Sequence, residues 1–301
     1  MFKNPYIKLN SAILIWGIGY QIAHYLAQNM DIICIGFIRY LIASIILIII
    51  HKRTYGHVYD KTMFKNNWFA LCGIGIVGIG IYNMCFFEAE KYISGSIVAI
   101  IFALNPCITV LIAAIVFKQR IRIIGLIGVL IALLGAVGVV NYTDHGCGKY
   151  FCSATFKHIG IGELLSFGLC FLSAGYSIFS KIASRNQVKS LTITMYASVL
   201  GTVWLFIATL FLGHFDIIGK TSLFWIAMLY MSIFTSVLSY FWFSEAINQL
   251  GVSKTAVFIN GIPLSAVLVG TLFLGESISL PVLICGFIVI LGVFITNKFG
   301  N

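Results

Sequence analysis

Charge is scarce in this chain. Only 9% of its 301 residues are Asp, Glu, Lys or Arg, against about 25% in soluble domains, while 60% are hydrophobic. Such a stock cannot cover a water-facing surface, which excludes a soluble globular protein. Proline is scarce too, with four in the chain, so the apolar stretches run nearly unbroken. Clustered catalytic ligands are missing: the histidines at 24, 51, 57, 145, 158 and 214 fall in loops or near span ends without His-x-x-x-His spacing. That argues against an integral-membrane enzyme. There is no Walker sequence, so ATP drive would need a separate subunit. No cofactor and no metal are expected.

What is present is oil in regular lengths. Apolar runs of about 20 residues, enough to cross ~30 Å of hydrocarbon as a helix, recur at 8–27, 32–50, 68–87, 93–117, 121–141, 160–181, 191–212, 223–244, 252–274 and 278–297. The chain reads as an all-α integral membrane protein of ten transmembrane helices. The first run follows Lys3 and Lys8 but has no small-x-small cleavage site, so it reads as a retained span.

The net charge of +10 is a topology signal rather than a sign of a nucleic-acid partner. With the N-terminus inside, the inner loops and termini hold 13 of the 19 Lys and Arg, and the outer loops hold only Lys91, Lys149, Lys157 and Lys220. This is the positive-inside pattern, and it puts both termini in the cytoplasm. Six cysteines are scattered in apolar spans, where thiols behave as small hydrophobes. Cys147 and Cys152 fall in the longest outer loop, "GCGKYFC", where an oxidising exterior permits a disulfide. A bond and two free thiols stand as equal readings.

Shifted by 157 residues, "EAEKYISGSIVAIIFALNP" falls on "EAINQLGVSKTAVFINGIP". Glu88 meets Glu245, Ser96 meets Ser253 and Pro106 meets Pro263, with 13 identities in 48 positions from 88 to 135. Five spans is an odd number, so the halves enter the membrane from opposite sides as an inverted repeat. Secondary transporters commonly have this architecture, with the substrate site near the midplane. The units are 1–143 (spans 1–5), an outer connecting loop at 144–159, and 160–301 (spans 6–10). Pro106 and Pro263 kink matching helices, and Asn105 and Asn260 lie close enough to repair the freed bonds, to line a polar cavity, or both.

These residues resemble the drug/metabolite transporter superfamily, in particular its ten-span EamA-type transporters. The resemblance rests on "ILIWGIGY" in the first span, Arg39 in the second, and "EAINQLGVSKTAVFINGIPLSAVLVGTLFLGESIS" with "LICGFIVILGVFI" in the last two. The acidic loop position is Glu276 in the second half and Gln119 in the first, so it survives once. The resemblance implies a bacterial inner-membrane carrier of a small metabolite, working by alternating access, with spans 1, 3, 4, 6, 8 and 9 lining the path. An amino acid or related compound, exported, is the expected cargo. Uptake of a nucleoside-type metabolite such as S-adenosylmethionine is the alternative, with an integral-membrane enzyme or a channel as more remote readings.

Polar side chains in hydrocarbon default to functional candidates. Trp16, Tyr20 and His24 recur every four residues as one stripe, with Gln21 beside it; an interfacial belt is the competing reading. Tyr82, Asn83, Tyr176, Ser177, Tyr240 and Trp242 add hydroxyl, amide and aromatic groups, although serines often only join helices. His24 is a proton-coupling candidate. Glu88 and Glu245 read either as entrance charges or as boundary residues. Arg39 either snorkels, pairs with an acidic partner or attracts an anionic substrate, and pairing is the preferred expectation because an unpaired guanidinium there is expensive. The partners expected overall are a small-molecule substrate and membrane lipid, with a monomer or homodimer both open. The glycines at 125, 128, 135 and 138, and at 286 and 292, mark spans 5 and 10 as scaffold or dimer face.

Overall fold

In hydrocarbon every backbone N–H and C=O must be satisfied within the segment, so a chain this apolar folds as helices. The computed structural model describes residues 4–118, 122–142, 159–243, 258, 261–276 and 278–299. In chain order the helices are α1 Pro5–Ala27, α2 Ile32–Tyr55, α3 Lys61–Tyr92, α4 Gly95–Val116, α5 Ile123–Tyr142, α6 Ile161–Arg185, α7 Ser190–Leu212, α8 Ser222–Phe243, α9 Gly261–Phe273 and α10 Leu280–Phe299. Seven of them, α2 to α8, are long and apolar enough to cross a membrane. The first helix is as long but carries Tyr20, Gln21 and His24, and α9 and α10 contribute shorter apolar stretches.

Side-chain caps set the helix starts. Asn4, Asp31, Asp60 and Thr221 each accept from a backbone N–H of the first turn, at 2.9 to 3.2 Å, which satisfies donors a helix leaves open. Gly56, at φ 78°, closes α2 in the left-handed conformation that suits glycine. Many large apolar side chains face outward, among them Phe211 (81% exposed), Phe273 (80%) and Ile218 (93%). A patchwork this broad belongs against lipid, not water. The protein is a multi-pass helical membrane protein.

Two helices depart from α geometry at matching places. Within α3, Ile74–Ile81 is a π-helix, and within α8, Tyr230–Leu238 is another. Ile74 and Ile81 shifted by 157 are positions 231 and 238, so the two wide turns coincide in the repeat register. α4 breaks at Ala103–Leu104, and Pro106 opens its second half, as its missing N–H predicts. Pro263 is the third residue of α9; the residues just before it lie outside those described.

Helix packing follows the same register. α2 lies on α7 and α5 on α10, pairs that the 157-residue shift superimposes. α1 lies on α9 as α4 lies on α6, and α1 on α8 as α6 on α3. One apolar core gathers Leu9, Leu26, Phe87, Leu169 and Phe224; a second gathers Leu47, Leu71, Met195 and Leu205.

Candidate functional site

The π segments frame a buried guanidinium. Arg39, eight residues into α2 and 7% exposed, donates from Nε to Ser236 Oγ at 2.8 Å, from Nη1 to Asn83 Oδ1 at 3.1 Å and from Nη2 to Thr235 Oγ1 at 3.1 Å. Thr235 and Ser236 lie inside the α8 π segment. Asn83 lies just past the α3 segment, and its Nδ2 donates to Ile79 O within it at 2.8 Å. π turns release backbone groups and cluster at functional positions, and here side chains collect those groups and offer their other side to Arg39. The rings of Tyr40 and Phe87 lie 5.3 and 6.0 Å from its carbon.

The acidic partner expected for Arg39 is not found among the described residues, where its partners are one amide and two hydroxyls. The cause is local. α2 faces α3 and α8 where the π turns present neutral acceptors, so among the described residues dipoles alone solvate the charge.

Aromatic rings surround this centre. Trp16 donates from Nε1 to Thr235 O at 3.1 Å and meets Tyr240 and Phe243 edge-on at 5.4 and 5.3 Å. Tyr20 meets Phe86 at 5.3 Å, and Tyr82 stacks on Phe86 and meets Phe102 at 6.1 Å each. Tyr240 lies within electrostatic reach of Arg39, Tyr40, Tyr82 and Tyr176. Trp16, Tyr82, Asn83, Tyr176 and Tyr240 therefore come together around Arg39. Tyr176 also packs on Gly78 of α3. Ser177 does not join them: it is exposed and bonds Ser173 O on its own helix at 3.1 Å. Trp242 is buried with its Nε1 lacking a partner among the described residues.

Gln21 and His24 form a second polar group at the C-terminal end of α1. Gln21 Nε2 donates to Ser96 Oγ at 2.8 Å and to Ala266 O at 3.0 Å, and lies 3.5 Å from Glu276 Oε2. Ser96 Oγ in turn donates to Glu276 Oε2 at 2.5 Å. His24 Nδ1 lies 2.5 Å from Glu90 O and 3.8 Å from Glu90 Oε2. Glu88 is half-buried on the same helix. Its repeat mate Glu245 lies outside the described residues, as do Asn260, Cys147 and Cys152. The other six cysteines are free. Asn105 Oδ1 accepts from Thr109 Oγ1 at 3.1 Å, and Asn105, Pro106 and Pro263 line one small cavity together with Phe102 and Ile262.

The EamA-like transporter family model matches residues 6–141 and 160–298. The chain belongs to that family. Among relatives of this EamA-like protein, the uncharacterized transporter YyaM of Bacillus subtilis is 28% identical over 298 residues, covering 96% of this chain and 92% of that one. An uncharacterized transporter of Archaeoglobus fulgidus is 25% identical over 302 residues, covering 97% and 98%. A solved crystal structure matches with TM-score 0.66 at 16% identity, covering 98% of this chain and 96% of the other, which shows a shared fold. Sequence reasoning found Arg39 and Asn83 but missed Thr235, Ser236, Ser96 and Glu90. Hydroxyls read as helix joints, and one acidic residue beside another reads as boundary charge.

Proposed function

We propose that this protein is a secondary transporter that exports an amino acid or related carboxylate-bearing metabolite, its ten helices working as two inverted five-helix halves by alternating access. The observation that carries the substrate class is Arg39. A guanidinium at helix-centre depth costs about 2.5–3.5 kcal/mol or more. Here, among the described residues, it is held by Asn83, Thr235 and Ser236 and not by a countercharge. Arg offers five N–H donors, three of which are engaged. A carboxylate arriving beside Tyr82 and Tyr240 supplies the missing charge, and leaving on the other side restores the neutral cradle. The coincident π turns, the family match to two stretches and the paired packing of equivalent helices support the two-halves reading.

Two measurements test it. Purified protein in liposomes is expected to show counterflow of a radiolabelled amino acid but not of the matching amine that lacks the carboxylate; equal counterflow of both would remove Arg39 as an anion anchor. Single cysteines at Lys118 and Ser279 are expected to react with an impermeant maleimide from opposite faces of the membrane. Labelling from one face would end the inverted-halves reading.

A further inference from the structure

Glu90 is the carboxylate that nothing above uses. It is fully buried at the C-terminal end of α3, and among the described residues neither carboxylate oxygen has a hydrogen-bond partner. Gln21 Oε1, also buried, lacks one as well. A bare carboxylate in a water-poor pocket is expensive unless something neutralises it. The nearest ionisable side chains define what that can be. From α1, His24 Nδ1 lies 3.8 Å from Glu90 Oε2, and its side chain is 33% exposed; Tyr20 is within electrostatic reach. From the α9–α10 connection, the like charge of Glu276 acts on Glu90. α6 begins nearby with Glu163, itself buried and, among the described residues, without hydrogen-bond partners on its carboxylate. From α2, Arg39 and Asp31 are occupied elsewhere, by the cradle and by the helix cap. Glu88 and Lys91 share the helix of Glu90.

We propose that Glu90 and Glu276 hold one proton between them, that this proton latches the pathway shut at this end, and that His24 carries it between the pocket and water. The proposal rests on the alternating-access reading above and names what holds this end shut. The latch is already visible. Gln21 of α1 and Ser96 of α4 bond Ala266 of α9, and Ser96 bonds Glu276 beyond it, so the first half is tied to the second by polar bonds at one end. With one proton present, the pair carries a single negative charge, which the hydroxyl of Ser96 and the amide of Gln21 can solvate. Without it, Glu90 and Glu276 are both charged within electrostatic reach of each other in a poorly solvated corner, and the strand of bonds through Glu276 gives way.

The transfer balances. His24 Nδ1–H donates to Glu90 O; a proton taken from water at Nε2 lets Nδ1 pass its own to Glu90 Oε2, and the imidazole is neutral again. Release runs in reverse. One proton is thereby taken from and returned to the water at this same end, so the opening of this end follows the pH there.

The test is hydrogen–deuterium exchange on the full chain in lipid nanodiscs without substrate, between pH 5.5 and 8, corrected for intrinsic rates. Peptides over 86–98 and 266–278 are expected to lose protection at least fivefold as pH rises, while a peptide over 61–73, at the opposite end of α3, does not change. Glu90→Gln, and independently Glu276→Gln, is expected to keep the first two peptides protected across the range. His24→Gln is expected to reach the same end states but relax several-fold more slowly after a pH jump. A wild type whose latch peptides ignore pH, or Glu variants that keep the wild-type response, would overturn the proposal. Counterflow measured at equal pH on both sides would still stand in that event, so the transporter reading and the proton latch fail separately.

Discussion

Arg39→Gln is expected to raise the half-saturating concentration of a carboxylate substrate by roughly 10- to 150-fold, the equivalent of about 1.5–3 kcal/mol for a charge-assisted hydrogen bond. The amide analogue of that substrate should bind wild type and variant alike. Its ratio to the acid therefore isolates the carboxylate–guanidinium term, as a double-mutant cycle does. Arg39→Lys should fall between: the charge stays, but one ammonium cannot span Asn83, Thr235 and Ser236 as a planar fork does. Stability separates this from a structural role. Removing a buried charge that meets only neutral groups among the described residues relieves desolvation, so Arg39→Gln should melt at or above the wild-type temperature in detergent. A large drop in melting temperature together with unchanged acid-over-amide preference would show that Arg39 only holds α2 to α3 and α8.

The helices themselves were legible because hydrocarbon allows few alternatives: apolar runs at 32–50, 121–141 and 191–212 became α2, α5 and α7 with ends moved by a few residues. The extension of α3 back to Lys61 was missed because its first turn is polar, and Asp60 rather than hydrophobicity sets its start. The π segments leave no composition signature, since one extra residue per turn costs no change in residue type. With them went Thr235 and Ser236, whose importance comes from being carried round to face Arg39. Glu88 was chosen over Glu90 because it matches Glu245 in the repeat. Two positions apart on a helix is about 200°, nearly opposite faces, and only packing against α1 says which face is buried. The repeat pointed to the less buried one.

Gly292→Leu is expected to leave little monodisperse protein, and Gly292→Ala to lower the melting temperature by several degrees. A Cβ built at Gly292 would lie 2.6 Å from Gly128 O, hard against the Ala132 backbone of α5. Backbone cannot swing aside as a side chain can, so α10 must lift from α5, and overpacking of this kind costs about 1–3 kcal/mol. Contact at this distance is how helices associate where no hydrophobic drive distinguishes lipid from protein. Gly135 is the mate of Gly292 in the 157-residue register, and its Cβ would meet Val289 N at 2.7 Å and Cys285 O at 2.9 Å. Gly135→Ala should therefore carry a matching penalty, although the two residues sit in different helices. Gly168→Ala is the control: nothing lies within 4 Å of that position, and alanine's better helix propensity makes it neutral or stabilising by up to about 1 kcal/mol. Unequal penalties at 135 and 292 would mean that α5 and α10 do not share one pseudo-symmetric seam. Equal ones would make the glycines part of the scaffold against which the two halves rock, which is why neither α5 nor α10 contributes a residue to the Arg39 cradle.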